Sequence, residues 1–359
     1  MSDKINLVLL GHLDHGKSTL IGRLLYEMGS ILPDKIREVE QTCKNLGKEM
    51  EYAFFLDAFQ DEVEGGMTID TIMAVLKGKK HDYNVIDCPG HKEFIKNMLS
   101  GASNASSAIL VISAKENEGV QEQTKRHVFL ARMLGIEQLF VVVNKMDMRH
   151  YSQEVFDRIK REAEIFLGKI GYRNIFFVPI SAKKGDNIMQ KSENMRWYKG
   201  KPIFEIIEEN AKVQSIEKFN EKKQSAGAGE SIGLKIHGST EKIKRGEICS
   251  EPSSQPQIAK EFGAEIFILS EEKLKKNEPL TIKILTSEKK CRISEIKEKI
   301  NSASGEQMQL NDELKPLDAA IVKISVQEPV VIEKFSRIQE LGRFLLIKNN
   351  IVVAISIAI

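Results

Sequence analysis

Along the first 206 residues, short apolar runs alternate with amphipathic stretches, and beyond residue 207 that rhythm gives way to another. The runs at 6–10, 83–87, 108–113, 139–144 and 175–180 are apolar on both faces and predict strands of a mostly parallel sheet covered on both sides. Between the last two, residues 152–170 predict a helix, because Val155, Phe156, Ile159, Ala163, Phe166, Leu167 and Ile170 recur at spacings of three and four. Ser152 can cap its start and Gly171 can end it. Such alternation is the pattern of a doubly wound α/β domain. From 212 onward the chain instead carries short β-branched runs between polar turns, at 212–217, 231–236, 264–269, 280–286, 320–326 and 343–347. This predicts small antiparallel barrels or sandwiches, with a final strand in the apolar tail 351–359. The stretches NEKKQSAGAGE (220–230) and EPSSQPQ (251–257) read as linkers from their Gly, Ser and Pro content.

Composition changes this picture little. With 359 residues, the chain has room for two or three domains at roughly 150 residues each. Its 53 Lys and Arg against 51 Asp and Glu leave a net charge of +2, so it lacks the global basic footprint of a nucleic-acid binder. The mixed-sign clusters at 271–276 and 297–299 read as solvated surface. Cys43, Cys88, Cys249 and Cys291 form no ligand spacing and read as reduced, buried thiols suited to the cytoplasm. The start, MSDKINLVLLG, passes straight into a strand without the build of a leader. No apolar run of about 18 residues predicts a membrane span.

The chemistry is concentrated at strand ends. Gly11-His12-Leu13-Asp14-His15-Gly16-Lys17-Ser18, followed by Thr19, fits G-x-x-x-x-G-K-[ST] between a predicted strand and a helix. The glycines let the backbone curl so that successive N–H groups converge on phosphate oxygens, and the helix adds its positive end. Lys17 is the candidate to neutralise the β- and γ-phosphates and Ser18 to ligate Mg²⁺. His12 and His15 read as loop-packing residues, because backbone groups do the loop's work.

A phosphate loop alone does not choose its nucleotide. Asn144-Lys145-Met146-Asp147 follows a predicted strand, at the edge where ligands of such sheets bind. A carboxylate at Asp147 can accept hydrogen bonds from guanine N1–H and the exocyclic amine, a donor pair that adenine lacks. This points to GTP. Asn144 is expected to brace the loop and the Lys145 stem to cover the base. Ser181-Ala182-Lys183 is expected to close over guanine through backbone N–H groups. Asp87-Cys88-Pro89-Gly90-His91 follows another strand, with Asp87 placed to hold Mg²⁺ through water and Gly90 to sense the γ-phosphate. His91 is the candidate to position the attacking water, and Thr68 the candidate second Mg²⁺ ligand, on the Gly-rich segment 65–70. The candidate catalytic set is thus His91, Lys17 and Thr68, and the candidate metal set Ser18, Thr68 and Asp87.

These motifs carry a family likeness. GHLDHGKSTLIGRLL, GMTID, DCPGHKEFIKNM, NKMD and SAKKGDN, in this order, resemble translation-factor-type GTPases. That group includes elongation factor Tu, elongation factor 1-alpha and the GTPase large subunit of bacterial sulfate adenylyltransferase. The likeness covers 4–206 and returns in DAAIVKISVQEPVVIEKFSRIQELGRFLLI. It implies that Leu13 and Met67 form an apolar gate for His91, with Met67 standing where Val or Ile is usual and Glu64 where Arg is common. Segments 118–136 and 144–159 lean toward the sulfate adenylyltransferase subunit, 181–200 is shared with elongation factor 1-alpha, and 274–290 lacks the His-containing segments of elongation factors. That lean implies GTP hydrolysis driving adenosine 5'-phosphosulfate synthesis by a partner small catalytic subunit. The alternatives are aminoacyl-tRNA delivery and a degenerate GTP-dependent interaction module. The family's first β-barrel opens with strands for which this chain has no room. The likeness therefore implies three parts: a GTP-binding domain over 1–207, a shortened second β domain over 208–256, and a C-terminal β-barrel over 257–359.

Overall fold

Five apolar runs become five parallel strands, because only a strand buried on both faces has use for continuous Val, Ile and Leu. The structure, a computed structural model, describes residues 4–12, 14–47, 49–56, 72–87, 105, 107–116, 118–211, 248, 250, 253, 255–303 and 305–359. They belong to two compact units, each with its own apolar core.

In the first unit, β1 (Lys4–Gly11), β2 (Ile72–Lys77), β3 (Asp82–Asp87), β4 (Ser107–Ser113), β5 (Gln138–Asn144) and β6 (Asn174–Pro179) form one sheet in the order β2-β3-β1-β4-β5-β6. Only the β2–β3 pair is antiparallel. Every residue of β4 and β5 is buried. Helices α1 (Lys17–Glu27), α2 (Pro33–Asn45), α3 (Glu122–Met133), α4 (Gln153–Lys169) and α5 (Ile203–Asn210) accompany the sheet. The Ser152 hydroxyl caps α4 by accepting from the Val155 N–H at 3.3 Å, and Gly171 follows it at φ 86°. Phe156, Ile159, Ala163, Phe166 and Leu167 are its buried face, each large side chain contributing roughly 1.5–3 kcal/mol. Helix α5 extends to Asn210, past the boundary predicted at 207.

Register brings the carboxyl ends of the strands to one edge. Leu9 lies beside Asp87, Gly11 beside Val111, Ser113 beside Asn144, and Val143 beside Pro179. The loops leaving these ends are those that carry the predicted motifs.

The second unit contains β7 (Ile258–Ile268), β8 (Leu274–Lys275), β9 (Leu280–Ile284), β10 (Ser287–Asn301), β11 (Glu313–Leu314), β12 (Asp318–Val331), the short α6 (Gln339–Gly342), β13 (Arg343–Lys348) and β14 (Ile351–Ala358). Six of the strands close a barrel in the order β10-β12-β7-β14-β13-β9, while β8 and β11 pair alongside. Ile266, Leu280, Ile282, Ile293, Val322, Ile324, Phe344 and Leu346 fill its interior.

One sequence expectation needs correction here. The charged stretch that holds Lys297–Lys299 belongs to the long strand β10, which the apolar pattern does not reveal. Lys299 is not solvated but 2% exposed, and its ammonium meets Asp318 at 3.1 Å, Asn311 Oδ1 at 3.1 Å and the Glu313 carbonyl at 2.9 Å. All three of its N–H donors are therefore matched, which is what allows a charge to be buried.

Cys43 and Cys291 are free and buried, and burial pushes the Cys291 thiol up to about 12. Among the described residues no helix is long and apolar enough to cross a membrane. Cys88 and Cys249, the runs at 212–217 and 231–236, the linker 220–230 and nearly all of the predicted second β domain lie outside the described residues.

Candidate nucleotide site

Gly11 ends β1 at φ 143° and Gly16 precedes α1 at φ 91°, conformations that side-chain-bearing residues rarely adopt. Space forbids a Cβ at both: one built on Gly11 falls 2.6 Å from the Val111 carbonyl oxygen, and one on Gly16 falls 2.4 Å from Asn144 Nδ2. The glycines therefore let the loop curl while lying flush against β4 and the end of β5. Lys17 reaches back across this curl, donating from Nζ to the Gly11 carbonyl (2.9 Å) and the His12 carbonyl (3.3 Å). Ser18 and Thr19 are half-buried in the first turn of α1.

Asn144 ties this loop to the next. It is 2% exposed, its Nδ2 donates to the His15 carbonyl at 2.9 Å, and its Oδ1 accepts from the Ala182 N–H at 2.9 Å. One side-chain amide thus joins the loop after β1 to the loop after β6, with both of its polar ends satisfied inside the fold. Lys145 takes a left-handed backbone at φ 63° and opens the 3₁₀ turn Met146–Arg149. Within that turn, Asp147 Oδ1 accepts from the Ser181 hydroxyl at 2.6 Å. The same hydroxyl accepts from the Lys184 N–H at 3.2 Å. Met146 is buried, and its N–H donates to the Ile180 carbonyl at 3.2 Å. Lys183 pairs with Glu49 at the surface, at 3.0 Å.

His15 is 1% exposed, with Nδ1 3.3 Å from the Val111 carbonyl and its ring edge-on to His12, the centroids 5.3 Å apart. Burial, with His12 nearby, brings its pKa down to about 4, so it is a neutral packing group at ordinary pH.

Glu118 is the part of this region that the motifs did not name. Its carboxylate meets Lys115 at 3.0 Å and Lys145 at 3.1 Å. Burial raises its pKa, but hydrogen bonds from Ser113, Lys115 and Lys145 overcome that and hold it near 2. Glu118 therefore stays charged and anchors the Lys145 ammonium. Its only signal in the sequence is an acidic residue before Gly119 in the loop after β4.

The fold thus brings Gly11, His12, Asp14–Ser18, Asn144–Asp147 and Ser181–Lys183 together, with the end of β3 at Asp87 on the same edge. Leu13, Thr68, Cys88, Pro89, Gly90 and His91, with Glu64 and Met67, lie outside the described residues.

Comparison with known proteins fits this site. Residues 2–221 match the family described as elongation factor Tu GTP binding domain, and residues 261–359 match the GTP-eEF1A C-terminal domain-like family. The chain is 38% identical to elongation factor 1-alpha of Thermoplasma acidophilum, covering 95% of this chain and 94% of that protein. It is 34% identical to elongation factor 1-alpha of Methanocaldococcus jannaschii, covering 99% and 97% respectively. The structure of the Ski7 GTPase-like domain of S. cerevisiae, bound to GTP, shares the fold, with a TM-score of 0.56 at 15% identity over 100% of this chain and 97% of that one. These relatives do not uphold the lean toward sulfate adenylyltransferase drawn from 118–136 and 144–159, and they favour the elongation-factor alternative. From the strand-end loops through to the C-terminal barrel, the chain belongs to the translation-factor-type GTPases, the family of elongation factors Tu and 1-alpha, and it binds GTP.

Proposed function

We propose that this chain is an elongation-factor-1-alpha-like GTPase that works as a guanine-nucleotide switch in translation and delivers aminoacyl-tRNA in its GTP form. The observation that carries the reading is the Asn144 clamp, which holds a phosphate loop and a base loop at one sheet edge. In this reading the backbone N–H groups of 11–16 and the Lys17 ammonium hold the phosphates, with the start of α1 facing them. Asp147 accepts from guanine, the Lys145 stem covers the base, and the Ala182–Lys183 backbone closes over it. Mg²⁺ fits the donor chemistry: the Ser18 hydroxyl heads α1 beside the phosphate loop, and Asp87 ends β3 next to β1, both oxygen ligands of the kind this ion takes. Bound there, the ion neutralises charge on the phosphate oxygens. Thr68 is proposed as a further ligand and His91 as the residue that orients the attacking water. Single-turnover GTP hydrolysis by His91→Ala tests the last role, and a rate equal to wild type removes it.

Delivery is tested by the hydrolysis of the aminoacyl ester of charged tRNA. Protection with a non-hydrolysable GTP analogue, and none with GDP, supports it. Failure to protect in either state, with GTP binding intact, favours the second reading, a GTP-dependent interaction module. That reading draws on length: the match to the Thermoplasma protein runs over 404 residues, whereas this chain has 359. The relative therefore carries residues with no counterpart here. We place that shortfall in the second β domain, whose opening strands the sequence has no room for.

A further inference from the structure

The loop that leaves β4 grips the turn that leaves β5. Ser113, fully buried at the end of β4, lies beside Asn144 at the end of β5. The Ala114 N–H donates to the Asn144 carbonyl at 2.7 Å, so the two loops set out tied at the backbone. Ser113 also folds its own loop: its hydroxyl accepts from the Lys115 N–H and its carbonyl from the Gly119 N–H, each at 3.1 Å. The Glu118 N–H donates to the Lys115 carbonyl at 3.1 Å, and Gly119 turns the chain at φ 55°, where glycine is free of strain. A buried strand end thus fixes the backbone of Glu118.

From there the carboxylate reaches the base turn. Its Oε2 accepts from Lys145 Nζ at 3.1 Å and its Oε1 meets Lys115 Nζ at 3.0 Å, so each oxygen faces its own cation. The Lys145 and Glu118 side chains are only 22% and 21% exposed, which limits screening of the pair by solvent. At the far end of the same turn, Arg149 meets Glu116 at 3.4 Å. One loop therefore holds the segment 145–149 at both ends. A lysine stem is long and flexible, and ordering it only when a ligand arrives subtracts from affinity. A stem tethered at its tip beforehand avoids that loss.

We propose that Glu118 is a positioning residue for the nucleotide base: by holding the Lys145 ammonium, it keeps the Lys145 stem set across the place of the base. The proposal rests on the reading of Lys145 as the cover of the base. Glu118 does not touch the nucleotide and acts through Lys145 alone.

The test is a cycle of variants of the full chain, Glu118→Gln, Lys145→Ala and the two combined. Calorimetry measures the affinity of each for GDP and for inosine diphosphate, which lacks the exocyclic amine, and thermal melting checks folding. Glu118→Gln is expected to weaken GDP about fivefold, the fold-change of one partly exposed ion pair. Inosine diphosphate should weaken equally, because a stem lying on the face of the base does not sense the amine. Lys145→Ala, which removes the stem, should cost at least about tenfold. In that background Glu118→Gln should change nothing further, since its only route to the nucleotide is gone. Should Glu118→Gln fail to fold, Glu118→Asp replaces it: the charge stays, the carboxylate retracts from Lys145, and the same loss is expected. GDP affinity in the Glu118 variant within about twofold of wild type, or above it, overturns the proposal. So does a loss that persists in the Lys145→Ala background, the pattern of a merely structural role, or a loss confined to GDP. Wild-type GDP affinity in Lys145→Ala refutes instead the underlying reading of Lys145, and the proposal falls with it.

Discussion

Replacing Asn144 by Ala is the sharpest probe of the nucleotide site. The substitution removes a donor and an acceptor in a place that water does not reach, since Asn144 is 2% exposed. The His15 carbonyl and the Ala182 N–H, each 2.9 Å from the amide, are left without partners. An unsatisfied buried polar group costs about 1–3 kcal/mol, so the two together amount to roughly 2–6 kcal/mol. That cost divides between the fold and the nucleotide. The melting temperature falls by about 2–4 °C for each kcal/mol lost from the folded state. What remains appears as looser binding, because the phosphate and base loops no longer share a common brace. With about 3 kcal/mol expressed at the site, GDP affinity drops about a hundredfold. Calorimetric titration with GDP, beside a thermal melt of the nucleotide-free chain, reads both portions. Asn144→Asp gives a finer cut: it keeps the acceptor for Ala182 and loses the donor to His15. The reasoning is refuted if Asn144→Ala binds GDP within about threefold of wild type and melts at the same temperature, because the two groups would then have found other partners.

Three further outcomes are expected. His15 is held neutral down to about 4, whereas an unfolded chain protonates it near 6.5. Its share of stability is therefore complete above pH 6.5 and is lost as pH falls toward 4; melting curves over that range should be flatter for His15→Gln than for wild type, and parallel curves refute this. Lys299→Ala strands Asp318, itself 7% exposed, and should destabilise the barrel by about 3–5 kcal/mol, while Lys299→Met with Asp318→Leu recovers most of the loss in denaturant unfolding. Gly16→Ala drives a Cβ to within 2.4 Å of Asn144 Nδ2 at φ 91°, so nucleotide binding by equilibrium dialysis should be weakened by at least about tenfold.

The parallel sheet was legible because its strands use Val, Ile and Leu on both faces. The runs predicted at 108–113 and 139–144 differ from β4 and β5 by one residue at the start. Strand β10 was not legible, for a physical reason. Only Cys291, Ile293, Ile296 and Lys299 of its sequence SEKKCRISEIKEKIN are buried, and register shifts at Ile293/Glu295 and Ile296/Glu298 break the alternation of two that marks a strand. Lys299 was misread along with it, since a lysine counts as solvated until its partners are known, and Asp318 and Asn311 lie across a loop. At the site, motif spacing gave the backbone cradle and the Asn144 and Asp147 positions. It did not give Glu118, which meets Lys145 only because β4 and β5 are neighbours.

The six-stranded barrel of the second unit ends the chain without a free strand margin, since β10 bonds to both β12 and β9 and the ring is complete. Along the paired lengths of these strands, another protein therefore finds no free row of backbone groups onto which to lay a segment of its own. Recognition of that paired wall has to read its outward side chains, such as Lys289 and Lys323 paired with Glu328 and Glu261. Recognition of that kind weakens with added salt and can be redirected by charge reversal at single surface positions, with the ring itself left undisturbed.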